Sequence, residues 1–200
     1  MDFILETPRL IMRPLEIEDL EILHKIDSNP NVHEYLWNAP ATDINQTKFV
    51  INSILSQYIK HNIGRYGIIL KETNEFIGWG GLKFNENTVN NNQNFYDIGI
   101  CITQEHWNKK LGFEVFQAWI KYAFRNLNLP KLYAYTQTKN DSSNRMAEKI
   151  QMRKTNEFLY DDQNWNWYEL GILKYDMIIN KGIIKDIEIN ILPILKNDYE

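Results

Sequence analysis

A pair of lysines stands where a strand-like segment gives way to a long helix-like one. The segment Phe95–Ile102 is apolar and rich in β-forming residues, and Leu111–Leu127 has apolar residues at helical spacing. Lys109 and Lys110 fall in or beside the first turn of that helix. A helix N-terminus attracts anions, so lysines there indicate a phosphate held between them and the backbone amides. Two solvated lysines with no ligand explain the same pattern equally well.

The elements that would position this turn follow from hydrophobic periodicity, which predicts about seven strands and about four helices. The predicted strands are Arg9–Arg13, Tyr66–Leu70, Phe76–Phe84, Phe95–Ile102, Leu132–Thr136, Met152–Leu159 and Trp167–Leu173. The predicted helices are Ile17–Ile26, Phe49–Ile59, Leu111–Leu127 and Ser143–Ile150. Their order implies an α/β (α+β) domain with a mixed, mostly antiparallel sheet flanked by helices. We expect it to span residues 1–176, with a short C-terminal extension over 177–200.

Composition excludes several classes of protein. The net charge of −4 argues against a nucleic-acid binder, which would show a basic surface. The single cysteine, Cys101, rules out a disulfide within the chain and points to a reducing compartment, so we expect a cytoplasmic protein. No secretory signal and no membrane-length apolar run is visible. The four histidines are scattered without zinc-ligand spacing, and no metal is expected.

Three segments together carry a family resemblance. They are Glu6–Leu10 with Arg13 and Asp19, Trp107–Glu114, and Asn140–Ser143 followed by Glu148–Ile150. In this order and spacing they resemble the GNAT acetyltransferase superfamily, and within it the RimJ/RimL-like branch of ribosomal-protein N-terminal acetyltransferases. The resemblance covers roughly residues 5 to 176 and implies the GNAT fold.

The resemblance implies acetyl-CoA as the cofactor, with its pyrophosphate on the segment that starts at Trp107. The implied cofactor-binding residues are Ile100, Cys101, Ile102, Trp107, Asn108, Lys109, Lys110, Leu111, Gly112, Phe113, Asn140 and Ser143. This chain departs from the family pattern at Asn108, Lys110 and Gln151, where glycine is usual. A non-glycine residue at a tight phosphate turn can crowd the backbone approach, and Lys110 could compensate by pairing with a phosphate.

The resemblance also implies direct transfer of the acetyl group to an amine. A backbone N–H around Ile100–Ile102 would stabilise the oxyanion. Asp97 is the first choice for the base, and Glu34 and Glu169 are the other candidates. Ser143 is the candidate to contact the thiol, since Ala147 stands where many members have a tyrosine acid. Each assignment has a plainer alternative. Asp97 could be a strand-edge residue, Ser143 a helix cap, Asn140 an Asx turn and Cys101 a small buried hydrophobe.

The acceptor is expected to be an amine, either a small molecule or a protein N-terminus. Candidate linings of its site are Tyr35, Trp37, Trp79, Trp165 and Trp167, because aromatic rings can hold a cation. Ordinary core packing is the alternative for each ring. Two other functions stay open: a catalytically impaired GNAT-fold protein that binds acyl-CoA, and an interaction module in which Ile178–Leu195 forms a homodimer contact.

Overall fold

One mixed sheet of nine strands forms the centre of the computed structural model, which describes residues 3–35 and 39–194. The strands are β1 (Phe3–Glu6), β2 (Leu10–Pro14), β3 (Arg65–Leu70), β4 (Glu75–Asn85), β5 (Phe95–Ile102), β6 (Lys131–Gln137), β7 (Arg153–Tyr160), β8 (Gln163–Gly171) and β9 (Asn190–Pro193). Their order across the sheet is β7-β8-β6-β5-β4-β3-β2-β1-β9. Every neighbouring pair is antiparallel except β5 and β6, which confirms the mixed, mostly antiparallel expectation.

Six helices flank the sheet in the described ranges. They are α1 (Leu20–Asp27), α2 (Pro30–His33), α3 (Ile44–His61), α4 (Leu111–Arg125), α5 (Asp141–Lys149) and α6 (Ile172–Asn180). The predicted counts of seven strands and four helices were therefore too low. The short elements β1, β9 and α2 span four residues each, too few to show a period. The strand predicted to continue to Leu173 ends at Gly171, and α6 begins at the next residue, Ile172.

The helices cover both faces of the sheet. Neighbouring residues of a strand point to opposite faces, so apolar side chains on both faces need a helix to pack against them. Ile98 lies in the main core with Trp119 of α4. Cys101, on the other face of β5, packs against Ile26 and Val32 of α1 and α2. Helix α4 thus covers one face, and the N-terminal helices cover the other. None of the helices in the described part of the chain is both long and apolar enough to cross a membrane.

The chain after α6 returns across α4 to the far edge of the sheet. Lys121 of α4 donates hydrogen bonds to Asp186 at 3.0 Å and to the carbonyl of Ile187 at 2.8 Å. Strand β9 then pairs with β1 over the whole of Phe3–Glu6. The boundary expected at residue 176 falls inside α6, and the division into domain and extension stays a prediction.

Candidate functional site

The turn that follows β5 is fixed by its own polar side chains. A 3-10 turn, Gln104–His106, comes directly after the strand. The hydroxyl of Thr103 lies 2.9 Å from His106 Nδ1. The indole of Trp107, 43% exposed, donates to the carbonyl of Ile102 at 2.7 Å. Trp107 is thereby tied back to the end of the strand, and the chain beyond it begins the tight turn.

Two non-glycine residues in that turn adopt the left-handed conformation. Asn108 and Lys110 both have φ of +61°. Gln151, after α5, has φ of +64°. These are the three positions at which the family pattern has glycine, and glycine enters this region without a steric penalty. The backbone therefore keeps the left-handed conformation that glycine allows, although this conformation is unfavourable for a lysine or a glutamine side chain.

The first turn of α4 presents unpaired amides. Lys110 is the N-cap and makes no side-chain capping bond. The first backbone bond of the helix runs from the Glu114 amide to the Lys110 carbonyl at 3.3 Å. Within the described residues, the amides of Leu111, Gly112 and Phe113 have no hydrogen-bond partner. Three open donors at the positive end of a helix fit an anion such as a diphosphate.

Strands β5 and β6 separate beside this turn. Their parallel pairing consists of one register pair, Asp97 with Tyr133, in the described residues. On its other side β5 pairs with β4 over eight residues, from Phe95 to Ile102. The edge of β5 that faces β6 is therefore open beyond Asp97. Successive amides of a strand point to alternate sides, so at least one of Ile100, Cys101 and Ile102 directs its N–H into this opening.

Helix α5 follows β6 and begins at Asp141. The side chain of Asn140 accepts a hydrogen bond from the Ser143 amide at 3.0 Å and so caps the helix. The half-buried hydroxyl of Ser143 makes no hydrogen bond within the described residues. Sequence reasoning missed Asn144. Its side-chain NH2 group donates to the backbone carbonyls of Gln137, Thr138 and Asn140. Asn144 also accepts hydrogen bonds from the side chains of two β8 residues, so it locks α5 onto the sheet.

Asp97 lies in a buried polar network where β5 and β6 begin to diverge. Its carboxylate pairs with Arg65, and it accepts a hydrogen bond from Asn85 at 2.6 Å. Burial lowers the pKa of Lys83, the register partner of Asp97 on β4, and the negative charge of Asp97 opposes that shift. Burial raises the pKa of Tyr135, and Asp97 adds to that rise. Both carboxylate oxygens of Asp97 are therefore already engaged by protein groups.

Cys101 behaves as a small buried hydrophobe rather than as a reactive thiol. It is 5% exposed and packs in an apolar cluster with the half-buried rings of Phe76 and Trp79. Burial raises the pKa of its thiol, which disfavours the nucleophilic thiolate. What the strand offers to a ligand at this position is therefore its backbone.

The sequence profile of the acetyltransferase (GNAT) domain matches residues 9–153, which include the β5 edge, the left-handed turn and α5. The chain belongs to the GNAT acetyltransferase family. It is therefore an enzyme by family, and the predicted GNAT fold is confirmed.

Two comparisons place this acetyltransferase among its relatives. It is 31% identical over 150 residues to an uncharacterised N-acetyltransferase, p20, of Bacillus licheniformis, covering 75% of this chain and 82% of the relative. It also resembles the crystal structure of a spermidine N-acetyltransferase from Vibrio cholerae in complex with CoA and spermine. That likeness has a TM-score of 0.68 and 21% identity, covering 84% of this chain and 98% of the other.

The predicted RimJ/RimL-like branch has weaker support. The structure of RimL, the ribosomal L7/L12 α-N-protein acetyltransferase, in complex with CoA matches with a TM-score of 0.69 but at 16% identity. It covers 85% of this chain and 97% of the other. Such a likeness shows the shared fold, and membership in that branch stays a prediction.

The aromatic residues predicted to line the acceptor site of this acetyltransferase do not form one cluster. Trp165 and Trp167 are buried on β8, where Trp167 stacks on Tyr135 at an interplanar angle of 13°. Trp79 lies among the N-terminal helices, with the guanidinium carbon of Arg65 5.9 Å from its ring centre. Of the other two candidates, Tyr35 is half-buried and Trp37 lies outside the described residues. Roles in acceptor binding stay predictions for all five.

Proposed function

We propose that this chain transfers an acetyl group from acetyl-CoA directly to a primary amine. The observation that carries the proposal is the turn before α4, which is left-handed at both Asn108 and Lys110. Asparagine adopts that conformation readily, but a residue such as lysine does so at a cost of about 1–2 kcal/mol. A backbone shape that survives replacement of its glycines supports retention of the diphosphate site.

Acetyl-CoA would supply the acetyl group as an activated thioester. The open amides of Leu111–Phe113 would hold its diphosphate, with Lys109 and Lys110 as exposed charges at the rim. On β5, an amide from Ile100–Ile102 would donate to the thioester carbonyl oxygen as it becomes negative. A preorganised donor of this kind lowers the barrier by about 3–4 kcal/mol.

Two side chains are assigned to the reacting groups, one to take the proton of the amine and one to contact the departing thiol. Asp97 is the proposed base for the amine, and it would have to act while Arg65 and Asn85 contact its carboxylate. The Ser143 hydroxyl is the proposed partner of the departing thiol, because it is half-buried and makes no hydrogen bond within the described residues.

A catalytically impaired acyl-CoA-binding protein is the second candidate function. Ala147, at the family's usual tyrosine position, is 4% exposed and lies in the main core. The chain therefore offers no acid at that point. This favours acyl-CoA binding without turnover, unless Ser143 takes the place of the missing tyrosine.

The acceptor class is proposed on the family's chemistry. One relative is named as a spermidine N(1)-acetyltransferase, and the RimL structure is named as an α-N-protein acetyltransferase. The acceptor in each of these names is an amine. We propose an amine acceptor of either kind and a cytoplasmic enzyme that binds no nucleic acid and acts off the membrane. A homodimer through the segment Ile178–Leu195 stays a prediction.

The deciding experiment has two parts. Calorimetry or thermal shift with CoA tests binding, since a ligand at 100 times its Kd adds about 2.7 kcal/mol of stability. Release of CoA from acetyl-CoA is then measured with a panel of polyamines, amino sugars and short peptides with free N-termini. Binding with turnover supports the enzyme, binding without turnover supports the impaired protein, and absence of CoA binding contradicts both.

A further inference from the structure

The turn between β1 and β2 reaches across to the first turn of α4. Arg9, in that turn, contacts residues that lie 100 to 105 positions further along the chain. Its Nε donates to Glu114 Oε2 at 2.6 Å, and its backbone amide donates to Glu114 Oε1 at 3.0 Å. The hydroxyl of Thr7 donates to Glu114 Oε1 at 2.6 Å. The carboxylate of Glu114, 7% exposed, is thus held by three donors from one short segment.

The same guanidinium also binds the backbone of the left-handed turn. Arg9 Nη1 donates to the carbonyl of Lys109 at 3.0 Å, and Nη2 donates to the carbonyl of Lys110 at 3.3 Å. One side chain therefore fixes both the helix, through Glu114, and the two peptide groups that lead into it. We call these contacts of Arg9 with Glu114, Lys109 and Lys110 the arginine clamp.

A peptide group is planar and trans, so its C=O and N–H point in opposite directions. When Arg9 holds the Lys109 carbonyl, the Lys110 amide must point away from Arg9. The Leu111 amide is directed in the same way by the bond to the Lys110 carbonyl. The clamp therefore orients the amides at the start of α4 without touching anything bound to them.

We propose that Arg9 is a positioning residue for CoA: it holds the left-handed turn so that the amides before and within the first turn of α4 converge on the diphosphate. This inference rests on the proposed function, because it concerns the same cofactor site. Lys110 disfavours the left-handed conformation, so the turn needs an external contact to stay in it without ligand. The guanidinium of an arginine spreads five N–H donors over a rigid plane and so reaches the carboxylate and both carbonyls, whereas the three donors of a lysine ammonium share one nitrogen.

The test measures the Kd of CoA by calorimetry for the full-length wild type, Arg9→Ala, Arg9→Lys and Arg125→Ala. Arg125 is the matched control because it lies at the other end of α4, pairs with Asp176 at 2.6 Å and is 45% exposed, against 46% for Arg9. We expect Arg9→Ala to weaken CoA binding about tenfold, which corresponds to about 1.4 kcal/mol. Arg9→Lys keeps the charge but loses the fork, so most of that loss is expected to remain. Arg125→Ala should bind within twofold of the wild type.

A truncated donor separates positioning from a general structural role. S-acetylpantetheine carries the thioester but no phosphate, so its kcat/KM with an accepted amine should change less than twofold in Arg9→Ala. For acetyl-CoA the same variant should show a raised KM with nearly constant kcat. An equal loss with both donors, or an equal loss in Arg125→Ala, would overturn the inference.

Hydrogen exchange gives a readout that needs no ligand. In the cofactor-free protein, the amide of Glu114, which donates to the Lys110 carbonyl, and the amides of residues 115–117 in the next turn of α4 should exchange faster in Arg9→Lys than in the wild type. Unchanged exchange would contradict the clamp even if Arg9→Ala fails to fold. Wild-type protein that binds no CoA would defeat the proposed function and this inference together. Wild-type binding that is insensitive to Arg9 would defeat this inference alone.

Discussion

Replacement of Lys110 by glycine should stabilise the protein, which is unusual for a glycine introduced at the edge of a helix. Lys110 has φ of +61° and ψ of +14°, in the left-handed region. A side chain there costs about 1–2 kcal/mol. Lys110→Gly removes that penalty, while Lys110→Ala keeps it because alanine retains a Cβ. The pair of variants therefore isolates backbone conformation from the loss of the lysine charge.

The expected size follows from two opposing terms. Relief of the left-handed strain contributes about 1–2 kcal/mol. The greater freedom of glycine in the unfolded chain subtracts about 0.4–1 kcal/mol. The middle of each range leaves a net gain of Lys110→Gly over Lys110→Ala of about 0.8 kcal/mol. For a chain of 200 residues this corresponds to a rise in Tm of about 1–4 °C.

The assay is urea and thermal unfolding of the ligand-free variants, followed by calorimetry with CoA. Equal stability of the glycine and alanine variants would refute the left-handed assignment and the argument drawn from it. Lys110→Glu is added to test the charge, and it should weaken CoA binding more than either neutral variant. Unchanged CoA affinity in Lys110→Glu would remove the proposed phosphate contact but leave the strain argument intact.

Two predictions concern the polar network around β5. Asp97→Asn leaves the charge of Arg65 buried without its partner, which should cost about 3–5 kcal/mol in urea unfolding. If Asp97 is also the base, turnover per folded molecule should fall further than CoA affinity, and full turnover in the folded variant would eliminate that role. Lys83→Met should stabilise the protein at neutral pH, because burial lowers the pKa of Lys83 below its ordinary value of 10.5. A charged lysine with a lowered pKa binds its proton less tightly when folded, so its cost is fully present below the folded-state pKa. The gain from Lys83→Met should therefore shrink as pH rises towards 10.5, and a gain that does not vary with pH would contradict this reasoning.

Much of the fold could be predicted because helix α4 shows its period clearly. The predicted stripes of that helix, which include Val115, Trp119 and Ile120, are buried. The prediction for α3 was less accurate. The apolar spacing within Phe49–Ile59 predicts one face with Val50, Ile54 and Tyr58, but Val50 is 45% exposed. Thr47 is buried instead, with its hydroxyl 3.1 Å from His24 Nδ1. A polar residue buried by a long-range hydrogen bond carries no signal in hydrophobic periodicity.

The site was only partly predictable for a similar reason. The places of the lysines before α4 and of the asparagine at the start of α5 could be predicted from the sequence, and their roles in binding CoA stay predictions. The conformation of Lys110 was not, because lysine has no preference for the left-handed region and only the family pattern pointed to it. The contacts of Arg9 with Glu114 and of Asp97 with Arg65 join distant parts of the chain. No local pattern encodes such pairs.

Strand β9 has a consequence for how the two ends of the chain depend on each other. It runs beside β1 from Phe3 to Glu6, and the next residue of the chain, Thr7, begins the contact with Glu114. The last described strand thus supports the segment that holds the carboxylate of Glu114 at the start of α4. We expect that removing the residues after α6 would free the outer edge of β1 and, through Thr7, weaken CoA binding at the proposed diphosphate site.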